Sequence, residues 1–293
     1  MQKTNFIHRF FFGIRRNWKR TPVWLLVPYG FVWAIVEPIT YYSDSVKNLI
    51  EPYRLCILLT IIVLSVVYTL YKICEPLKIK FNIGKTGTSV EIVFGEIFSQ
   101  DCHIAIPANE FFDTQIGGSK GQVGDIVAPY SLHGLFISKI YNSDTSRLDA
   151  EITTALTGVY PTQVARTVGK NQKYPIGTTA VLGNNSNKKF LFALSNTDVA
   201  TNKASADVPT MWKALEGLWS AVRNHSNGLP VSIPLVGGGL SHVGLEPENL
   251  LRLIILSIIK SSEQSKITSE IRIVLHNSVF DKVALRKIKQ EFI

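Results

Sequence analysis

The chain has 293 residues, 46% of them hydrophobic and 18% charged, with a formal net charge of +9. Such a balance could mark a nucleic-acid binder, but its distribution argues against that class. Residues 1–74 hold nine Lys/Arg against three acidic residues, while the remaining chain holds 22 basic and 19 acidic ones. The excess therefore flanks apolar segments, where it sets membrane topology and attracts anionic headgroups. No stripe of Lys/Arg with interleaved aromatics follows, so no nucleic-acid partner is expected. Cys56, Cys74 and Cys102 are too scattered for a disulfide framework or a zinc site and fit a reducing compartment.

Residues 1–20 form a basic segment without an acidic residue, in which Phe10–Phe12 lie among arginines; residues 6–18 read as an amphipathic stretch able to lie on a leaflet surface. Residues 21–36 carry no charge and stay apolar to Tyr41 and Tyr42, and residues 55–71 (LCILLTIIVLSVVYTLY) are uncharged throughout. About 20 helical residues cross a bilayer core, so the pattern predicts a hairpin over 21–76 with spans at about 21–42 and 53–73. Pro22 and Pro52 suit the first turns. Pro28, Gly30, Glu37 and Pro38 predict a kinked or shortened first span. Glu37 is either functional or reaches the interface from late in that span. The positive-inside rule puts the N-terminus and everything after the second span in the cytoplasm. No A-x-A-like site marks the first run as a cleaved signal.

From residue 77 the pattern alternates. Residues 77–81, 90–94 and 103–106 read as strands. A polar, Gly-rich loop is expected over 108–133, with Gly117, Gly118, Gly121 and Gly124 in it. Residues 136–140 are helical or extended, and 146–156 helical. Residues 178–182 and 189–194 form a strand pair around a turn at 183–187. Met211, Trp212, Leu215, Leu218, Trp219 and Val222 have helical spacing within 209–223. A strand at 231–235, a helix at 247–259, a strand at 271–275 and a basic helix at 282–288 complete the order. Strands alternating with helices predict an α/β domain over 77–293.

The most informative stretch is VSIPLVGGGLSHVGL, residues 231–245. A buried strand runs into three glycines, which either let backbone N–H groups approach an anion or merely form a flexible turn. Neither a Walker Lys nor the spaced glycines of a dinucleotide fold is present. Three companions share its layout: VEIVFGEIF (90–98), IAIPAN (104–109) and IRIVLHNSVFD (271–281). The order strand–Gly-acid, strand–Ala-Asn, strand–Gly-loop, strand–polar-aromatic resembles the macro domain, an ADP-ribose-binding fold. With the two spans, IPANEFFDT and SLHG are similar to the membrane-anchored macro-domain effectors of type II Thoeris anti-phage systems.

That resemblance implies a three-layer α/β/α domain with a mixed sheet and a ligand site. Glu96 with Ile97 would read adenine, and His276, Asn277 or Phe280 would flank it. Asn109 would lie near the distal ribose, and Gly237, Gly238, Gly239, Leu240 and Ser241 would wrap the diphosphate. Asp113, Ser131 and His133 join the ligand set. Asp113 and His133 remain open between ligand contact, acid–base work and structure, and His242 between ligand contact and solvated turn. The segment EFFDTQIGGSKGQVGDIVAPYSLHG stands where hydrolytic macro domains carry a Gly-Gly-Gly run, so binding without catalysis is expected, with no metal and no resident cofactor. The activator would be an ADP-ribose derivative, histidine-ADP-ribose, made from NAD by a TIR-domain partner. Homo-oligomerisation and disruption of the bacterial inner membrane would follow. A tethered ADP-ribosyl hydrolase and a tethered protein-binding scaffold are the alternatives.

Overall fold

A computed structural model of the chain describes residues 6–83, 87–117, 126–184, 186–263 and 265–292. It divides into two compact units, residues 1–76 and 77–293. The first holds helices α1 (Phe6–Asn17), α2 (Thr21–Tyr42), α3 (Asp44–Ile50) and α4 (Arg54–Ile73). α2 and α4 are long and apolar enough to cross a membrane. Pro22 opens α2 at its first turn, and Pro28 and Pro38 lie inside the helix, which continues through both to Tyr42. Ser43 ends it and caps α3, its side chain accepting from the Val46 N–H. α4 buries Ile61, Ser65, Thr69 and Ile73, every fourth residue. Small polar side chains along one stripe allow close approach of a neighbouring helix, while outward Leu and Val stay exposed. α1 is amphipathic, and Arg9 donates from its guanidinium to the Glu75 carbonyl at the far end of α4.

In the second unit the strands are β1 (Lys78–Ile83), β2 (Thr88–Phe94), β3 (His103–Asn109), β4 (Thr162–Gln163), β5 (Gln172–Lys173), β6 (Thr179–Leu182), β7 (Lys189–Thr197), β8 (Ala204–Ser205), β9 (Val231–Pro234) and β10 (Glu270–Leu275). The helices are α5 (Leu132–Ile140), α6 (Thr145–Ala155), α7 (Val208–His225), α8 (Pro247–Ser262) and α9 (Leu285–Phe292). The main sheet runs β1-β2-β10-β9-β3-β7-β6, with β8 added to the end of β7. β2, β10, β9, β3 and β7 are mutually parallel, while β1 and β6 pair antiparallel at the two edges. The sheet is mixed, with helices on both faces.

One face carries α7, α8 and α9 over a core containing Trp219, Leu250, Ile254 and Ile273; the other carries α5 and α6 over Phe136, Ile137, Leu148 and Leu191. The Trp219 indole N–H donates to Ser257 Oγ at 2.9 Å, satisfying a fully buried polar pair between α7 and α8. Edge strand β1 alternates exposed and buried residues, whereas β9 is buried at every position, as expected for an edge and a centre.

Two sequence expectations change. The loop expected over 108–133 is shorter, because β3 continues to Asn109 and α5 starts at Leu132, where Ser131 Oγ caps the Gly134 N–H. Gly118, Gly121 and Gly124 lie outside the described residues. The basic helix expected at 282–288 is displaced: a 3-10 turn covers Asn277–Lys282, and α9 begins only after Val283 and Ala284. Short paired strands β4, β5 and β8 were not legible, since two residues carry no periodicity.

Candidate functional site

The five parallel strands all end on one edge of the sheet, at Phe94, Leu275, Pro234, Asn109 and Thr197. The carboxyl edge of a parallel sheet is where α/β folds place ligands. β9 and β3 stay in register for only two residue pairs, His103 with Val231 and Ile104 with Ser232. The sequence supplies the reason. His103 donates to the Pro230 carbonyl on the β9 side and Ile104 to the Lys188 carbonyl on the other, so odd-numbered residues of β3 face β9. Pro107 is the third of them and has no N–H to offer. Pairing stops and the strands part.

The gap becomes a cleft of about 410 Å³ lined by 107–109, by 126–128 and 130–133, by Leu194, Ser195, Asn202 and Ala204, and by 235–242. That volume lies within the range of small-molecule sites. No Lys, Arg, Asp or Glu lines it among the described residues.

The glycine loop forms one wall. Gly237 has φ +90, and a Cβ there would meet Leu250, Met211 and Val243 at 2.9–3.0 Å, so only glycine fits the turn. The loop closes through bonds from Val243 N–H to the Gly237 carbonyl and from His242 N–H to the Gly239 carbonyl, and Ala206 N–H ties the Ser241 carbonyl to the start of α7. The N–H groups of Gly238, Gly239, Leu240 and Ser241 find no acceptor among the described residues. Beside Gly239 the space is open. A run of free backbone donors around open space recognises anions without a cationic side chain.

A second wall is the start of α5. Gly134 packs so tightly that a Cβ would sit 2.2 Å from the Ala128 carbonyl oxygen. His133 is 7% exposed, and its Nε2 has no partner. Burial, with the Lys170 charge nearby, pushes its imidazole down to about 3, so it is neutral near pH 7.

The structure therefore gathers Asn109, Ser131, His133 and Gly237–Ser241 around one cleft, with His242 beside them. Asp113 lies behind it. Its carboxylate is 1% exposed and accepts from Arg166 at 2.9 Å, from the Asn109 side-chain amide at 2.9 Å and from the Lys170 N–H at 2.8 Å. So committed a carboxylate has a structural job and no room for a ligand amine. Glu96, Ile97, His276, Asn277 and Phe280 share the carboxyl edge but follow β2 and β10, and none lines the cleft. Glu96 and His276 face each other at 3.4 Å, while Phe280 is 3% exposed and packs edge-on against Phe94. Ile97 is 4% exposed in a 3-10 turn, and Asn277 opens another.

Sequence reading missed Arg166, Lys170 and Asn202. The Arg166 side chain is fully buried, lies 4.0 Å over the Phe111 ring, and bonds Asp113, the Lys170 carbonyl and Asn202 Oδ1. Its signal was only a lone arginine in a turn-rich stretch.

The model of the family described as Thoeris protein ThsA, macro domain, matches residues 90–276. Among solved structures, the Oceanobacillus iheyensis macrodomain with ADP is 14% identical, with 73% of this chain and 96% of that chain covered and a TM-score of 0.43. The Trypanosoma brucei macrodomain in complex with ADP-ribose is 13% identical, with 64% and 63% covered and a TM-score of 0.40. No curated protein matches.

Proposed function

Because the chain belongs to the Thoeris ThsA macro-domain family, we propose that its cleft binds an ADP-ribose-type nucleotide and that binding, without turnover, is its task. The observation that carries this is the run of unpartnered N–H groups from Gly238 to Ser241 around open space at the carboxyl edge of the sheet. A diphosphate fits such a cradle. The ADP and ADP-ribose complexes of distant macrodomains agree with that ligand class. Binding rather than hydrolysis is favoured because Glu110 and Asp113, the acids nearest Asn109 in the chain, both spend their carboxylates on protein donors.

The ligand is a signal made from NAD by a TIR-domain partner, histidine-ADP-ribose being the form proposed. α2 and α4 anchor the chain in the bacterial inner membrane with the macro domain in the cytoplasm. Ligand binding favours a homo-oligomer, whose hairpins disrupt the bilayer. A ligand shifts such an equilibrium only as far as it prefers the assembled state. The test is dye release from vesicles carrying the full chain. Release on adding histidine-ADP-ribose, and none with a Gly239→Trp variant, supports the reading; release indifferent to ligand refutes it.

A further inference from the structure

Asn202 sits in the loop between β7 and β8, and it lines the cleft although no motif announces it. The loop is built to hold it. Asp198 Oδ1 accepts from the N–H groups of Ala200 and Thr201 and from the Thr201 hydroxyl, and the Asp198 carbonyl accepts from the Asn202 N–H at 2.8 Å. Asn202 itself takes a left-handed backbone, φ 55, which asparagine tolerates better than most residues.

Its side chain is oriented by one contact. Arg166 Nη2 donates to Asn202 Oδ1 at 3.1 Å. A guanidinium can only donate, so the carboxamide oxygen must face it, and the amide –NH2 is the end left over. That nitrogen has no partner among the described residues, and it is not among the side-chain atoms shut away from solvent. Asn109 is held by the same device from the other side. Its amide donates to Asp113 Oδ2, which also accepts from Arg166 Nη1, and its Oδ1 accepts from the Asp113 N–H. One buried ion pair, Asp113 with Arg166, thus orients two carboxamides that line the same cleft.

We infer that Asn202 is a ligand-reading residue: held by Arg166, it presents its amide as a hydrogen-bond donor to an acceptor oxygen of the bound nucleotide. Arg166 is its positioning residue. This rests on the cleft being a nucleotide site, and it adds a recognition element outside the glycine loop.

The chemistry supplies a discriminating variant. Asn202→Asp keeps an oxygen for Arg166 and gains charge attraction, so the loop holds, but the donor becomes an acceptor. Titration calorimetry compares the full chain in nanodiscs with Asn202→Asp and Asn202→Ala, using ADP-ribose and ADP as probes. Wild-type binding is expected, weakened about tenfold by Asn202→Ala and more by Asn202→Asp, with the Asp variant melting no lower than wild type. Equal loss on both probes assigns the contact to the shared nucleotide part; loss on ADP-ribose alone assigns it to the distal ribose. Asn202→Asp binding like wild type overturns the inference while leaving the nucleotide site standing. Wild type binding neither probe overturns the site and the inference together.

Discussion

Asp113 and Arg166 form an ion pair at 2.9 Å with both side chains essentially removed from solvent. The pair is 53 residues apart in sequence and pins the turn-rich stretch around β4 and β5 behind the cleft. Removing one partner leaves the other charge buried and uncompensated. Arg166→Leu is expected to destabilise the macro domain by about 3–5 kcal/mol. Urea unfolding checks it. The double variant Asp113→Leu, Arg166→Leu should recover part of that loss, since no charge then remains stranded.

The glycine loop separates a folding requirement from a binding one. Gly237 combines a left-handed φ of +90 with three side-chain neighbours at 2.9–3.0 Å. Gly237→Val is expected to cost about 3 kcal/mol from strain and overpacking, read as a lower Tm. Gly239 has open space, with nothing within 4 Å of a Cβ. Gly239→Trp should leave the Tm nearly unchanged and abolish nucleotide binding, because the indole occupies the cradle.

Acid should weaken the macro domain before its carboxylates titrate. His103 is fully buried; burial holds its imidazole below the ordinary histidine value, and its Nδ1 accepts from the Lys188 N–H. His133 is held down to about 3. Above about pH 6.5 both are neutral folded or unfolded and contribute no pH dependence. Below it the unfolded chain takes up protons that the folded chain refuses, so stability falls with pH until the folded values are reached. Each histidine adds a slope of up to about 1.4 kcal/mol per pH unit. Glu91 adds to this at lower pH. Burial raises it, but Lys78 and Arg272 outweigh that and leave it below the usual glutamate value. Its contribution is present above about pH 4.5 and lost as pH falls through its lowered folded value. Urea midpoints from pH 7.5 to 4.5 check the trend. Replacing His133 with Gln should flatten the upper part of it.

Legibility followed physical range. The two long helices α2 and α4 were readable because each is dominated by one long apolar run. The helix around Trp219 and the strand at 231–235 were readable from periodicity and from composition bounded by turn residues. The glycine loop was readable because chemistry and position coincide within five residues, Gly237 to Ser241. Asn202 was not, because its place in the cleft depends on Arg166 and Asp113, which reach it only through the folded chain. Asp113 was singled out with His133 as an acid and a histidine in one long loop. The structure gives it a job behind the wall, since a buried carboxylate must find donors and Arg166, Lys170 and Asn109 supply them. The parting of β3 from β9 hangs on Pro107, a residue that read only as part of IAIPAN.

The most direct measurement of the central claim is the amide-proton response of Gly238, Gly239, Leu240 and Ser241 when ADP-ribose is titrated into the isotopically labelled protein. Hydrogen bonding of these four donors to a diphosphate is expected to move their resonances downfield in a saturable way. The cavity between Tyr141 and Lys189 on the far flank should stay unperturbed. Four unmoved loop amides with shifts clustered elsewhere would contradict it.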